Sequence, residues 1–489
     1  MELHKLSAIE LGELVNKKEV SPVEVIEDTL SRIDEVNSQL HAFTYTKPEE
    51  AIDEAKKLED RIMQGEEVGP LAGVPVALKD FLPAKKGWTA SHGGVPSLIT
   101  VDDADCEFWK AASSMGAIAV GKTNAPAFGF RATTDNAMYG PTSTPFNVEY
   151  NSGGSSGGSC AAVGSRLVPL ASCGDAGGST RCPSAWCGTF GFKPSAGVVP
   201  SVCRPDAWTA THPYCCDGPT GRTVDDVALM LSAMQRYDPR DPISAPLPDI
   251  DYRSAKGRSI RGMRIGITMN FNLFPQPDDE ISSAILKTAE MLKDLGCRVD
   301  FVDFNFKHSR KEMEFAWLRG ICIDSAIEIE LDKQSGKQDL YLLEDELPTK
   351  FFEWNLAAFR SNMMDYRKFH EVRTDILDAH QDIFDNYDII IAPVTGCMPV
   401  KNATNGSLTE GPTEISGEEV DPLIGFAYTY LENMIGTAAA SIPIGLGVNN
   451  LPIGMQIIAP RYQDIRIFEL AYAIEHTQPW ANIYEKVLL

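Results

Sequence analysis

Apolar Val23, Ile26, Leu30, Ile33 and Val36 recur three or four positions apart behind Ser21 and Pro22, which suit an N-cap and a first helical position. With Ser7 as a second cap, the stretch from about 7 to 64 reads as amphipathic helices forming a collar. From Leu71 the texture changes. Short apolar runs end in Gly, Asn or Asp, as in LAGVPVALKD, AIAVGKTN and LVPLASCGD, and alternate with helix-like or Gly/Ser-rich stretches. That alternation predicts an α/β protein. Residues from about 201 to 257 are rich in Pro, Asp and Arg and read mostly as loop, with a helix near 224–234. A second set of units begins at MRIGITMN, passes through a helix around 281–295 and RVDFVDF, and continues in helices near 311–331 and 359–384 to YDIIIAPV. The strand-like SIPIGLGV and PIGMQIIAP follow, then a helix near 465–476. No repeat or low-complexity tract interrupts the pattern.

The 489 residues are 43% hydrophobic and 23% charged, enough to bury one large core. The formal charge of −24 is spread along the chain, and such a surface repels phosphate backbones and anionic lipid, so no nucleic-acid partner is expected. The longest uncharged stretch, 433–460, is broken by Gly436, Pro443, Gly445, Asn449, Asn450 and Pro452, so no membrane anchor is expected either. The opening residues carry charges throughout and lack the apolar run of a signal peptide, which points to the cytosol. Eleven cysteines sit in apolar or small-residue contexts, as Cys160 in GGSCAAVG, and suit reduced, buried thiols. Neither Cys182 with Cys187 nor Cys215 with Cys216 finds the partners to complete four ligands, so no metal is expected.

Chemistry concentrates in SGGSSGGS at 152–159 and in GDAGGSTRCPS two dozen residues later. Glycine lets backbone N–H groups approach a ligand, and serine can act as nucleophile or proton carrier. The second segment follows an apolar strand directly, which is where α/β proteins place ligands. A phosphate loop would need Lys after the last glycine, and no Lys follows Gly158 or Gly178. Gly153 to Gly157 match G-x-S-x-G, with His380 or His476 downstream as bases for an α/β-hydrolase-like esterase. The preceding TPFNVEYNS is not the apolar strand that motif needs, and both histidines lie in polar helical contexts that suit solvation. Without His, a buried lysine is the usual base. Lys79 in VPVALKD and Lys122 in AIAVGKTN both end apolar strands, and the residues alone do not choose between them.

The run from LAGVPVALKD through GKTNAPAFGF, TTDNAMYGPTSTPFN, GGSSGGSCAAV and GDAGGSTRCPSAWCGTFGFKPSAGVVP to GPTGRTVDD resembles the amidase signature family of Ser-cisSer-Lys amidohydrolases. Weaker echoes appear in YDIIIAPV and LPIGMQIIAP. The resemblance implies one domain over 1–489 around a mixed, twisted β-sheet flanked by helices. The collar would occupy 1–64, the catalytic core 65–235, a second α/β part 260–400 and a return to the sheet 401–489. It assigns Lys79 as base, Ser155 as the cis-peptide serine and Ser179 as nucleophile, with the N–H groups of Ala176, Gly177, Gly178 and Ser179 as oxyanion hole. Asp175, Arg181 and Ser156 would support them. Gly174, Thr180 and Ala127 depart from the usual residues without touching that triad.

The activity implied is hydrolysis of small, largely uncharged amides through an acyl-enzyme, with esters, carbamates or ureas open, no cofactor, and a homodimer left open. The other readings are the amidase subunit of a tRNA-dependent amidotransferase and a silent binding protein. The tRNA-dependent enzymes hold glutamine's charged groups with an Arg before the YDIII strand and an Asp before the SIPIG strand. Here the first approach reads LPTKFFEWNLAAFRSNMM and the second falls near Phe426. Phe128, Met138, Trp208, Phe351, Phe352 and Trp354 are the candidate substrate-lining residues.

Overall fold

The three apolar runs of the catalytic core become neighbouring strands. In the computed structural model, which describes residues 2–81, 84–336 and 339–487, they are β2 (Pro75–Lys79), β3 (Ile118–Thr123) and β4 (Leu170–Asp175). Strand β2 lies parallel to both of the others. They belong to an 11-stranded mixed sheet whose other members are β1 (Phe43–Thr46), β5 (Phe190–Lys193), β6 (Cys216–Gly221), β7 (Arg264–Ile267), β8 (Arg298–Phe301), β9 (Ile389–Pro393), β10 (Ala438–Leu446) and β11 (Pro452–Ala459). Their spatial order is β1-β3-β2-β4-β6-β5-β10-β11-β9-β7-β8.

The sheet separates two apolar layers. Alternate residues of β9 serve opposite faces: Ile389 and Ile391 join one cluster, Ile390 and Ala392 the other. The first cluster takes in the collar helices α1 (Ala8–Asn16), α2 (Pro22–Leu40) and α3 (Pro48–Met63). Ser7 and Ser21 each close a capping box, with Glu10 and Glu24, so both predicted starts hold. The collar is not wholly helical, because β1 interrupts it and pairs antiparallel with β3 at the sheet edge. In the predicted loop region, α7 (Val224–Met234) lies where expected, but β6 was unforeseen. Its sequence CDGPTG carries no strand pattern; antiparallel pairing with β4 on one side and β5 on the other holds it extended.

The remaining helices that shape the site are α4 (Glu107–Ser114), α5 (Gly157–Gly164), α6 (Arg181–Cys187), α8 (Asp279–Asp294), α9 (Arg310–Gln334), α10 (Thr349–Phe359), α11 (Met363–Phe384), α12 (Tyr430–Ile435) and α13 (Ile465–Thr477). The expected helix over 359–384 is therefore α11, N-capped by Asn362 in its own capping box, and α10 precedes it. All eleven cysteines are free thiols, eight of them buried. Among the described residues no helix is long and apolar enough to cross a membrane.

Candidate active site

Lys79 closes β2 at its carboxyl end, and its Nζ donates to Ser155 Oγ at 2.8 Å. Burial pushes its proton affinity down from the 10.5 of an ordinary lysine; the nearby acidic groups, Asp217 and Asp175 among them, restore only part of it. Ser155 sits just before α5, after a cis Gly154–Ser155 peptide bond. The neighbouring Ser156 donates its backbone N–H to the carbonyl of Ser179 at 3.1 Å, tying the two Gly/Ser segments together. Ser156 Oγ lies 3.5 Å from the Gly174 carbonyl.

Ser179 stands half-buried in the turn between β4 and α6. That turn is held from several sides. Asp175 Oδ1 accepts from the Gly178 N–H at 2.7 Å and Oδ2 from the Thr180 N–H at 3.2 Å. Trp317 Nε1, from α9, donates to the Ala176 carbonyl at 2.9 Å, and Thr429 Oγ1 donates to the Gly177 carbonyl at 2.6 Å. Gly178 has φ +125°, and a Cβ there would collide with Thr429 Oγ1, so glycine is obligatory. The Gly178 N–H, one of the four N–H groups expected to form an oxyanion hole, is bonded to the Asp175 carboxylate.

Behind the turn lies a fully buried ionic cluster. Arg181 binds Asp175 through Nε at 3.0 Å and Nη2 at 2.9 Å, Glu432 and Gln456 through Nη1 at 3.0 and 2.6 Å, and Asn433 through Nη2 at 2.7 Å. Burial works against ionising Asp175, but the Arg181 guanidinium outweighs it and holds the carboxyl down at about 2. His380 belongs to this cluster as well: it is buried among Phe271, Phe304 and Phe384, with Nδ1 at 2.8 Å from the Ile376 carbonyl and Nε2 at 3.6 Å from Glu432. The solvated role expected for it is therefore wrong, whereas His476 is exposed.

Lys122 separates from Lys79 here. Its side chain is fully buried and lies 2.6 Å from Asp102 and 3.6 Å from Asp80, so it is ion-paired. Four of the six candidate lining residues come together. Phe128 stacks on Phe351 at 5.2 Å, Phe130 tilts against Trp354 at 4.5 Å, and Phe352 meets Phe351 edge-on at 5.7 Å. This aromatic wall reaches the serines through Gly129, whose missing Cβ would lie 3.2 Å from Ser155 Oγ and 3.1 Å from Phe81. Met138 and Trp208 are exposed instead, 39% and 56%, and take no part in that stack. Trp317, Thr429, Glu432 and Asn433 are the supporting residues sequence reading missed; none lies in a recognisable motif.

A sequence profile of the amidase family matches residues 24–468. The chain belongs to the amidase family. This amidase is 30% identical over 482 residues to an acylamidase of Rhodococcus erythropolis, covering 98% of this chain and 97% of that protein. It is 31% identical to a Glutamyl-tRNA(Gln) amidotransferase subunit of Geobacillus kaustophilus, over 97% of this chain and 98% of the relative. Its fold matches that of a bacterial aryl acylamidase of the amidase signature enzymes with a TM-score of 0.94 and 40% identity, over 99% of both chains. The amidase is thus a hydrolase of carbon–nitrogen bonds in amides.

Proposed function

We propose that this amidase is a free-standing hydrolase of small, largely uncharged amides, working through Ser179, Ser155 and Lys79. The observation that carries the reading is the 2.8 Å contact between a buried lysine and Ser155 Oγ, beside the turn that bears Ser179. A hydroxyl is a weak nucleophile until a base takes its proton, and a lysine whose proton affinity is lowered by burial supplies one. Neutral Lys79 draws a proton through Ser155 as Ser179 attacks the carbonyl carbon. The tetrahedral oxyanion faces the N–H groups of the glycine turn, and Ser155 returns the proton to the departing nitrogen. Water then enters by the same relay and releases the acid.

Substrate class follows from the wall. Phe128, Phe130, Phe351 and Trp354 offer apolar and aromatic surface within reach of Ser155, which favours an acyl or aryl group. A glutaminase would need charged partners for an amino acid. Phe426, at the position aligned with the expected Asp, is buried and stacks on Trp186 at 5.5 Å. An unpaired amino-acid charge at that aromatic position is strongly disfavoured. The 40% identity to the bacterial aryl acylamidase supports the same choice.

The deciding experiment is a hydrolysis screen of the purified protein against anilides, alkyl amides, carbamates and glutamine, with Ser179→Ala as blank. Turnover of an apolar or aromatic amide that disappears in the blank is the expected result. Robust glutamine hydrolysis feeding ammonia to a partner protein, or an unchanged rate in Ser179→Ala, sinks the reading.

A further inference from the structure

Consecutive carbonyls of the nucleophile turn are bonded by four different parts of the chain. Ala176 accepts from Trp317 Nε1 of α9 at 2.9 Å, Gly177 from Thr429 Oγ1 at 2.6 Å, Gly178 from the Cys182 N–H at 2.7 Å and Ser179 from the Ser156 N–H at 3.1 Å. These peptides are trans, and in a planar trans peptide the N–H points opposite to the carbonyl of the residue before it. Fixing those carbonyls therefore fixes the N–H groups of Gly177, Gly178, Ser179 and Thr180. Asp175 takes every second one, Gly178 through Oδ1 and Thr180 through Oδ2. The alternate pair, Gly177 and Ser179, is directed by the turn and not used by it among the described residues. One N–H on the nucleophile itself and another two residues before it suit an oxygen that gains charge as Ser179 attacks.

The two N–H groups are not held alike. That of Ser179 shares a peptide whose carbonyl is fixed by the backbone of α6. That of Gly177 shares a peptide held at its carbonyl by the Trp317 side chain, and a glycine on one side lowers the resistance of that peptide to turning over. A flipped peptide would present a carbonyl oxygen where the N–H had been and would repel a charged oxygen. Trp317 opposes the flip twice: its indole N–H bonds the carbonyl, and its ring covers Gly177, where a Cβ would lie 2.4 Å from Trp317 Cζ2. The indole is itself buried, with its ring 6.1 Å from that of Tyr430. It stands on α9, whose Ile329 packs with Phe351 of the aromatic wall, far outside the Gly/Ser segments that make the turn.

We propose that Trp317 is a positioning residue for amide hydrolysis: it locks the Ala176–Gly177 peptide so that the N–H groups of Gly177 and Ser179 together receive the oxyanion. The proposal rests on the amide-hydrolase reading above and adds to it a residue from outside the signature segments. Its test removes the indole N–H and little else. Trp317 is replaced by 3-benzothienylalanine, which keeps the bicyclic shape but has sulfur in place of the N–H, and by 7-azatryptophan, which keeps the N–H; Trp317→Phe is a second variant without the donor. Each is assayed for kcat and KM on an anilide and for affinity toward a trifluoromethyl ketone carrying the same acyl group. In the ketone adduct the Ser179 oxygen bonds the ketone carbon, its proton passes through Ser155 to Lys79, and the electron pair of the C=O bond moves to the ketone oxygen as an oxyanion. Loss of the donor is expected to lower kcat and ketone affinity together by about tenfold or more while KM stays within about twofold, and 7-azatryptophan should stay close to the parent. An unchanged kcat in both donor-free variants, a loss confined to KM with ketone affinity untouched, or an equal loss with 7-azatryptophan overturns the role of Trp317. No amide turnover in the parent, or full turnover in Ser179→Ala, overturns the hydrolase reading instead, so the two failures are told apart.

Discussion

Strands β2 and β3 lie side by side in parallel, with Leu78 opposite Lys122 and Lys79 opposite Thr123, and each delivers a lysine to the same end of the sheet. Both lysines are buried. Yet one touches a serine hydroxyl and the other two carboxylates. A buried ammonium beside carboxylates is charge-paired, whereas burial beside a hydroxyl lowers the proton affinity of Lys79. Residue type and strand position are shared, so the partner alone sets the two lysines apart.

The comparison breaks first at Lys79→Met. Removing the proposed base should lower kcat/KM near neutral pH by about 1,000-fold or more while circular dichroism keeps its native shape. If amide turnover survives that change and vanishes in Lys122→Met, the roles are reversed.

Lys122→Met should do the opposite. It strands Asp102 and Asp80 in the interior, at a cost of about 3–5 kcal/mol seen in denaturant unfolding. The folded fraction should still turn over substrate within about fivefold of the parent rate. Adding Asp102→Asn to Lys122→Met removes a stranded charge and should recover part of the loss, and a double variant no more stable than the single one would show that the pair is not what Lys122 stabilises.

A pH profile sharpens the contrast further. Because burial lowers the proton affinity of Lys79, kcat/KM should climb with rising pH as Lys79 deprotonates, with its midpoint below 10.5. Lys122→Met should leave that midpoint in place, while a midpoint at or above 10.5 in the parent would contradict the lowered lysine. Stability has its own acid limb: Asp175 is depressed from 3.8 to about 2, so what it contributes is fully present above about 4 and fades as pH falls toward 2. Thermal scans of Asp175→Asn against the parent should converge over that interval.

The smallest effect belongs to the histidines. His476→Ala changes an exposed side chain and should move stability by no more than about 0.5 kcal/mol, with activity intact. His380→Leu alters a buried neighbour of Glu432, so it should lower the melting temperature while the pH profile of the folded enzyme keeps its Lys79 limb. Loss of that limb in His380→Leu would return His to the role of base.

These lysines also mark how far the chain could be read without coordinates. Apolar strand-end runs announced β2, β3 and β4, and the Gly/Ser segments announced the turns beyond them, because both signals are local. Which lysine meets Ser155 is a matter of folding, since Ser155 lies 76 residues from Lys79 along the chain. Strand β6 stayed hidden because CDGPTG has neither alternation nor β-branched density and owes its shape to its two neighbours. His380 was misread because the polar residues of α11 masked the buried stripe of Phe369, Val372, Ile376, Ala379 and Ile383. Trp317, Thr429 and Asn433 carried no signal at all; a lone Trp, Thr or Asn acquires meaning only when a distant turn arrives against it.

The Trp317 bond to the Ala176 carbonyl joins two stretches of chain that lie far apart in the sequence. Lys79, Ser155 and Ser179 fall within residues 79–179 in the first half of the chain, whereas Trp317 of α9 and Thr429 at the start of α12 come from later in the sequence and meet the turn from outside. A chimera that trades the segment from α9 through α10 for that of a relative therefore needs, among its other contacts, an incoming helix that brings a donor for the Ala176 carbonyl.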